Sequence, residues 1–214
     1  EMELADMLPM EQVKKALGLN KAAHCGTLDP AVTGVLPMLL ENAVKVMPAL
    51  QKQDKEYVGI MKLHKDIDNE KLDSVAKKFI GQIKQTPPVR SAVARKERIR
   101  KVHYFEVLER NNRDVLFRIG CEAGTYVRVI CHDIGKQVGG ANMAELRRTK
   151  AGRFDEKHLV KMQDVVDAYA DWKESVNEKI RELVLPVEEA VEHRHLRGAF
   201  PQQGRPLNRV AGIA

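Results

Sequence analysis

The stretch Gly26-Thr27-Leu28-Asp29-Pro30-Ala31-Val32-Thr33-Gly34-Val35-Leu36-Pro37 holds a single carboxylate in otherwise uncharged surroundings. Pro30 disfavours the α region at Asp29 and pushes it toward an extended or turn conformation, while Gly26 and Gly34 allow backbone geometries closed to other residues. A lone carboxylate in so stiff a frame is a candidate reactive group. Hydrolysis built on it would need a second acid or a metal cluster, and the sequence offers neither. The same residues also read as a helix start, with Asp29 as N-cap and Pro30 in the first helical position, and spacing alone favours that structural reading. His24 and Cys25 are set aside as a Cys-His nucleophile because adjacent positions rarely face each other and no orienting partner is evident. His132-Asp133 reads as structural.

No metal and no cofactor is expected. The three cysteines, Cys25, Cys121 and Cys131, form no C-x-x-C pair and have no histidines at zinc-finger spacing. The polar run His64 to Glu70 lacks the glycine and terminal glutamate of a calcium loop and reads as a solvated connection.

Thirty-six Lys and Arg against 30 Asp and Glu give a net charge of +6, which suits a polyanionic partner such as RNA. The densest basic stretch holds Arg90, Arg95, Lys96, Arg98, Arg100 and Lys101 with only Glu97 opposing them, and Arg147, Arg148 and Lys150 form a second cluster. By charge alone both are solvated faces. The hydrophobic share of 43% is enough for a core. No run approaches the roughly 18 apolar residues of a membrane span, and Glu1, Glu3 and Asp6 do not fit a signal peptide. The expectation is a soluble, unexported protein of a reducing compartment.

The elements that must position these residues follow from periodicity. Met10, Val13, Ala16 and Leu17 predict a short helix ended by Gly18, which delivers the chain into the Asp29 loop. Helical structure is expected through Leu39, Leu40 and Val44 to Val46, a turn over Gln51 to Glu56, and a strand over Tyr57 to Leu63. Leu72, Val75, Ala76, Phe79 and Ile80 predict a helix with Gly81 as terminator. Pro87-Pro88 ends regular structure. Val102 to Leu108 and Val115 to Cys121 predict a hairpin turning at Asn111-Asn112. A helix through Val127, Ile130, Cys131 and Ile134 is expected before Gly135, capped by Thr125, with further helices from Leu159 toward Trp172 and from Ser175 to Leu183. The mixture lacks regular β-α alternation and indicates an α+β architecture.

The segment His24 to Pro37 closely resembles the signature of TruB-type RNA pseudouridine synthases, in particular the dyskerin-like branch that works in box H/ACA ribonucleoproteins. Lys55-Glu56-Tyr57-Val58, Pro87-Pro88-Val89-Arg90-Ser91-Ala92-Val93, Gly120 to Arg128 and Met143 to Thr149 resemble the same family, in its order. The resemblance implies a pseudouridine synthase fold, with a mixed, mainly antiparallel sheet flanked by helices. It implies an isomerase that converts uridine to pseudouridine without redox change or energy source. Asp29 would be catalytic. Tyr57 would stack on the target base and assist proton transfer, and Arg128 would pair with Asp29. Leu146 would line an apolar pocket, and Arg90, Arg147 and Arg148 would contact substrate RNA.

The resemblance covers about Met10 to His193, so a catalytic domain is expected over 1–193 and a tail or remnant of a C-terminal PUA domain over 194–214. The Lys-Pro-x-Gly segment that precedes the aspartate loop in family members has no counterpart in Glu1 to Pro9, and Ala23 stands where the family commonly has glycine. A dyskerin-like assignment implies rRNA targets chosen by a guide RNA. It also implies three small protein partners: a zinc-ribbon type, a β-barrel and a kink-turn binder. Such a protein would be cytoplasmic if archaeal and nucleolar if eukaryotic. A stand-alone tRNA enzyme and a non-catalytic RNA-binding scaffold are the alternatives.

Overall fold

The computed structural model describes residues 10–88, 96–175, 178–190 and 209–213. In chain order, helix α1 (10–16) ends at Leu17-Gly18, where Gly18 takes φ 61°, and β1 (Ala22–His24) leads into the Asp29 loop. Strands β2 (Val32–Gly34) and β3 (Leu36–Leu40) follow, then a 3-10 turn (Glu41–Val46) and α2 (Met47–Gln51). Leu39 and Leu40 therefore belong to a strand rather than a helix. All five residues of β3 are buried, and a continuous apolar run of this length is shared by buried strands and buried helices.

Strand β4 (Lys55–Leu63) begins two residues earlier than its apolar content indicates. Helix α3 (Asn69–Lys77) is capped by Asp68, whose carboxylate accepts from the amides of Glu70 at 2.9 Å and Lys71 at 3.3 Å. It stops before Gly81, which instead opens an unexpected strand, β5 (Gly81–Gln85). Strands β6 (Arg98–Asn111) and β7 (Asp114–Cys121) form the expected hairpin, with Asn112 at φ 52° in its turn. Helix α4 (Val127–Val138) runs through Gly135 and ends at Gly139 in the left-handed conformation. Gly135 lies so close to Ala141 that a Cβ there would sit 2.3 Å from the Ala141 amide nitrogen. Thr125 does not cap the helix; its hydroxyl donates to the Glu122 carbonyl at 2.7 Å, and Tyr126 is the N-cap.

Strand β8 (Ala141–Ala151) carries the second basic cluster, and β9 (Phe154–Asp155) pairs back onto its end. Then come α5 (Met162–Ser175), α6 (Ile180–Leu183), β10 (Leu185–Pro186), α7 (Val187–Ala190) and β11 (Arg209–Ile213). The helix expected over Ser175 to Leu183 is replaced by the end of α5 and the short α6. Among the described residues no helix is long and apolar enough to cross a membrane.

The chain divides into two compact units, one of residues 1–53 with 150–214 and one of residues 54–149. In the first, β1, β3, β11 and β10 form a four-stranded sheet in that order. Its pairings are antiparallel, with Ala23 opposite Leu39, and β11 running from Arg209 opposite Leu40 to Ile213 opposite Leu36. Of the 194–214 segment expected as a tail, residues 194–208 and Ala214 lie outside the described residues. One core of this unit gathers Cys25, Val35, Leu39, Ala43 and Phe154; the other gathers Val13, Met38, Leu40, Val165 and Ala168.

In the second unit the strands lie in the order β8-β4-β7-β6-β5. The pairings of β4 with β7, β7 with β6 and β6 with β5 are all antiparallel. Helix α3 packs on α4 and β6, and α4 on β4. Met61, Val115, Phe117 and Ile119 are completely buried, and Phe105 stacks on Phe117 with ring centroids 5.1 Å apart. Together the two units make a mixed fold with mainly antiparallel sheets and flanking helices, as the α+β reading expects.

Candidate active site

Asp29 sits in the loop between β1 and β2 and is half-buried. The Val32 amide donates to its carbonyl at 2.8 Å, closing a four-residue turn with Pro30 at the second position. Aspartate first and proline second are the preferred residues of such a turn. The helix-start reading is thereby corrected: Pro30 and Ala31 form a turn that leads directly into β2. The loop is tied at its base, where the Cys25 amide donates to the Pro37 carbonyl at 2.9 Å, and Gly26 and Gly34 both take φ 107°. His24 Nδ1 is buried without a hydrogen-bond partner among the described residues.

The other candidates that can be placed stand on the second unit. Successive residues of a strand face opposite ways, so Tyr57 and Gly59 share one face of β4 while Glu56 and Val58 share the other. Tyr57 is half-buried, and Leu146 on β8 is 8% exposed. Leu146 packs directly against Gly59: a Cβ there would sit 2.8 Å from Leu146 Cδ1, 2.8 Å from Phe117 Cζ and 2.7 Å from the Glu145 carbonyl. A glycine inside a strand signals such a close approach. That signal stood in Tyr57-Val58-Gly59, although the sequence reading did not use it.

Arg147 and Arg148 were expected to act alike, but strand alternation separates them. Arg147 is exposed, whereas Arg148 is 1% exposed and ranks among the largest fully buried side chains. Only Arg147 of the pair has the exposure of a phosphate contact. Arg90 lies outside the described residues.

Arg128 is exposed in the first turn of α4, a turn without an acidic residue. The positive end of a helix dipole disfavours a cation there, so the local helix provides no reason for an arginine and an anion would stabilise one. The loop that starts α4 is held from several sides. Arg100 Nε donates to the Gly124 carbonyl at 3.3 Å, and the Glu122 amide donates to the Lys101 carbonyl at 2.8 Å. Gln85, at the end of β5, pairs with both backbone groups of Tyr126.

On the opposite face of the sheet, a row crosses four strands: Thr149 on β8, Glu56 on β4, Gly120 on β7 and Tyr104 on β6. The Thr149 hydroxyl donates to Glu56 Oε1 at 2.7 Å and the Tyr104 hydroxyl to Oε2 at 2.5 Å. Burial first, and then the bond to the Glu56 carboxylate, raise the Tyr104 phenol well above its ordinary range. Glu56 is thus clamped from both neighbouring sides, immediately before Tyr57. Period-two reading misses this row because β6 carries an extra residue between Val102 and Tyr104. The bulge turns Tyr104 outward and Phe105 into the core.

Among the described residues no group of three or more His, Cys, Asp or Glu side chains could hold a metal ion.

Two family models match the chain between residues 14 and 192: the N-terminal domain of the TruB family pseudouridylate synthases over residues 14–71 and 64–127, and the C-terminal domain of tRNA pseudouridylate synthase B over residues 128–192. The chain belongs to the TruB family of pseudouridylate synthases. Within the family it is 55% identical over 183 residues to the probable tRNA pseudouridine synthase B of Methanopyrus kandleri, covering 85% of this chain and 54% of that protein. To the protein of the same description from Pyrococcus abyssi it is 54% identical over 184 residues, covering 85% and 55%.

Solved structures agree with the TruB assignment. A chain in the crystal structure of a Cbf5-Nop10-Gar1 complex superposes with a TM-score of 0.82 at 52% identity, over 86% of this chain and 57% of that one. A chain in an H/ACA RNP bound to a substrate RNA containing 2'-deoxyuridine superposes with a TM-score of 0.77 at 49% identity, over 86% and 56%. The chain spans about half the length of the curated relatives it matches.

Proposed function

We propose that this protein is an RNA pseudouridine synthase that isomerises uridines in rRNA chosen by a box H/ACA guide RNA, with Asp29 as the catalytic carboxylate. The observation that carries the proposal is the likeness, at about half identity, to chains of H/ACA complexes, one of them bound to substrate RNA. It is joined to a motif aspartate held in a turn rather than spent on a helix cap.

In the reaction the N1–C1′ bond of uridine breaks, the uracil turns within the site, and C5 bonds to the same C1′. The proton lost from C5 is balanced by one gained at N1, so neither oxidant nor energy source is consumed. The base must leave its stack to be reached, which calls for an aromatic platform and one reactive carboxylate. Tyr57 supplies the platform, with Leu146 as the apolar wall that Gly59 admits beside it. Arg128 supplies the positive charge that holds a carboxylate ionised. Arg147 and Arg90 contact phosphates. The partners are guide and substrate RNA and small proteins of the kinds seen beside the structural neighbours, which include Nop10 and Gar1.

A second reading, modification of tRNA by the same chemistry, is favoured by the description of the curated relatives as probable tRNA pseudouridine synthase B. The test measures pseudouridine formation in a guide-paired RNA and in a tRNA, with the assisting proteins present, for the parent chain and for Asp29→Ala. Conversion of the guide-paired uridine, abolished by Asp29→Ala while RNA binding persists, is expected. Conversion that survives Asp29→Ala would remove Asp29 from the chemistry, and conversion of the tRNA alone would favour the second reading.

A further inference from the structure

We propose that Gln85 is a positioning residue for Arg128, acting through the backbone of Tyr126. Gln85 closes β5, 41 residues before Tyr126 in the chain, and is 4% exposed. Burying an amide without partners is costly, so the question is what satisfies it. Both of its polar ends go to one residue: Nε2 donates to the Tyr126 carbonyl at 3.1 Å, and Oε1 accepts from the Tyr126 amide at 3.0 Å. The side chain thereby makes with Tyr126 the two bonds that a neighbouring strand would make.

Tyr126 is the N-cap of α4 in extended geometry, φ −93° and ψ 95°, and its own side chain forms no capping bond. Its carbonyl also accepts from the Val129 amide at 3.0 Å and, in the first α-helical bond, from the Ile130 amide at 3.2 Å. The direction in which α4 leaves the loop is therefore set where Gln85 grips the chain, and Arg128 stands two residues further on. A two-point grip fixes both the position and the rotation of the Tyr126 peptide groups, which a single bond would not. A displacement of about 1 Å at a reacting group lowers turnover by roughly 100-fold.

The inference rests on the proposed role of Arg128 in the isomerisation, and its test separates the two. Turnover and KM for a guide-paired RNA are measured with the assisting proteins for Gln85→Met, Arg128→Lys and the double variant, alongside thermal midpoints. Gln85→Met keeps length and volume but loses both bonds. Gln85→Met is expected to lower kcat by about 10- to 100-fold with KM nearly unchanged, and to add almost nothing in the Arg128→Lys background. Multiplying effects in the double variant, or an unchanged kcat in Gln85→Met, would overturn the positioning role. An unchanged kcat in Arg128→Lys would instead overturn the role of Arg128, on which the inference depends. Should Gln85→Met not fold, Gln85→Glu takes its place in the same cycle, keeping the acceptor toward the Tyr126 amide and losing the donor toward its carbonyl.

Discussion

Replacing Gly120 by alanine isolates the row that fixes Glu56 next to Tyr57. A Cβ on Gly120 would lie 2.4 Å from Tyr104 Cε1 and Cζ and 2.8 Å from its hydroxyl. Carbon atoms pack at about 3.5–4.0 Å, so the ring must retreat by about 1 Å or more. The retreat opens the 2.5 Å bond from the Tyr104 hydroxyl to Glu56. Hydrogen bonds to charged groups contribute about 1.5–3 kcal/mol, and forced overpacking costs about 1–3 kcal/mol. Relief of glycine's conformational entropy returns about 0.5–1 kcal/mol. A net loss of about 2–4 kcal/mol is expected, a drop of about 4–16 °C in Tm for a protein of this size. The assay is thermal and urea unfolding of Gly120→Ala in two backgrounds. With Tyr104 intact the loss should appear in full; in Tyr104→Ala, where no ring occupies the space over Gly120, the same substitution should be neutral or slightly stabilising. Equal losses in both backgrounds would refute the reasoning, because the cost would then arise from the backbone of β7.

The raised Tyr104 phenol predicts an alkaline signature. The folded state holds this proton more tightly than the unfolded chain, so the contribution is present below the ordinary tyrosine range near pH 10 and is lost as pH rises through and above it. The Tm advantage of the parent over Tyr104→Phe should therefore shrink between about pH 9 and about pH 11; a constant difference would contradict the assignment. Burial pushes the Cys121 and Cys131 thiols up to about 12, which keeps both protonated and unreactive. An aromatic disulfide reagent at neutral pH should label neither until the protein unfolds, as peptide mapping of native and urea-treated samples would show. Labelling of either cysteine at the rate of a free thiol would contradict its placement in the core.

Much of the fold was legible because it rests on local rules. The stripes of α3 and α4, the hairpin turning at Asn111-Asn112 and the apolar content of β4 all carry their periodicity in the sequence. Gly139, in the left-handed conformation at the end of α4, likewise marks a break that its Gly-Gly pair announced. The reading failed where two structures share one local pattern. Leu36 to Leu40 is apolar at every position, which suits a buried strand and a buried helix equally, and pairing with β1 on one side and β11 on the other made it a strand. Asp29-Pro30 suits a turn as well as the helix cap that spacing alone favours, and the strand that follows decided for the turn. Gly135 looked like a terminator, yet α4 continues through it because the missing Cβ admits the backbone of Ala141.

The sequence by itself determined the chemistry on offer: one stiffly framed carboxylate, an aromatic strand residue and a helix-start arginine, each within a motif of the family to which the chain belongs. Such information is local, since it consists of residue types at fixed spacing. Only the tertiary structure decided how those residues are supported. The partner of Gln85 lies 41 residues away, and Thr149 lies 93 residues from Glu56. The inward turn of Arg148 against the exposed Arg147 depends on which face of β8 is covered. Contacts across such separations leave no periodicity to read, because they arise from strand register, one bulge in β6 and the two glycines, Gly59 and Gly120, that let side chains cross the sheet.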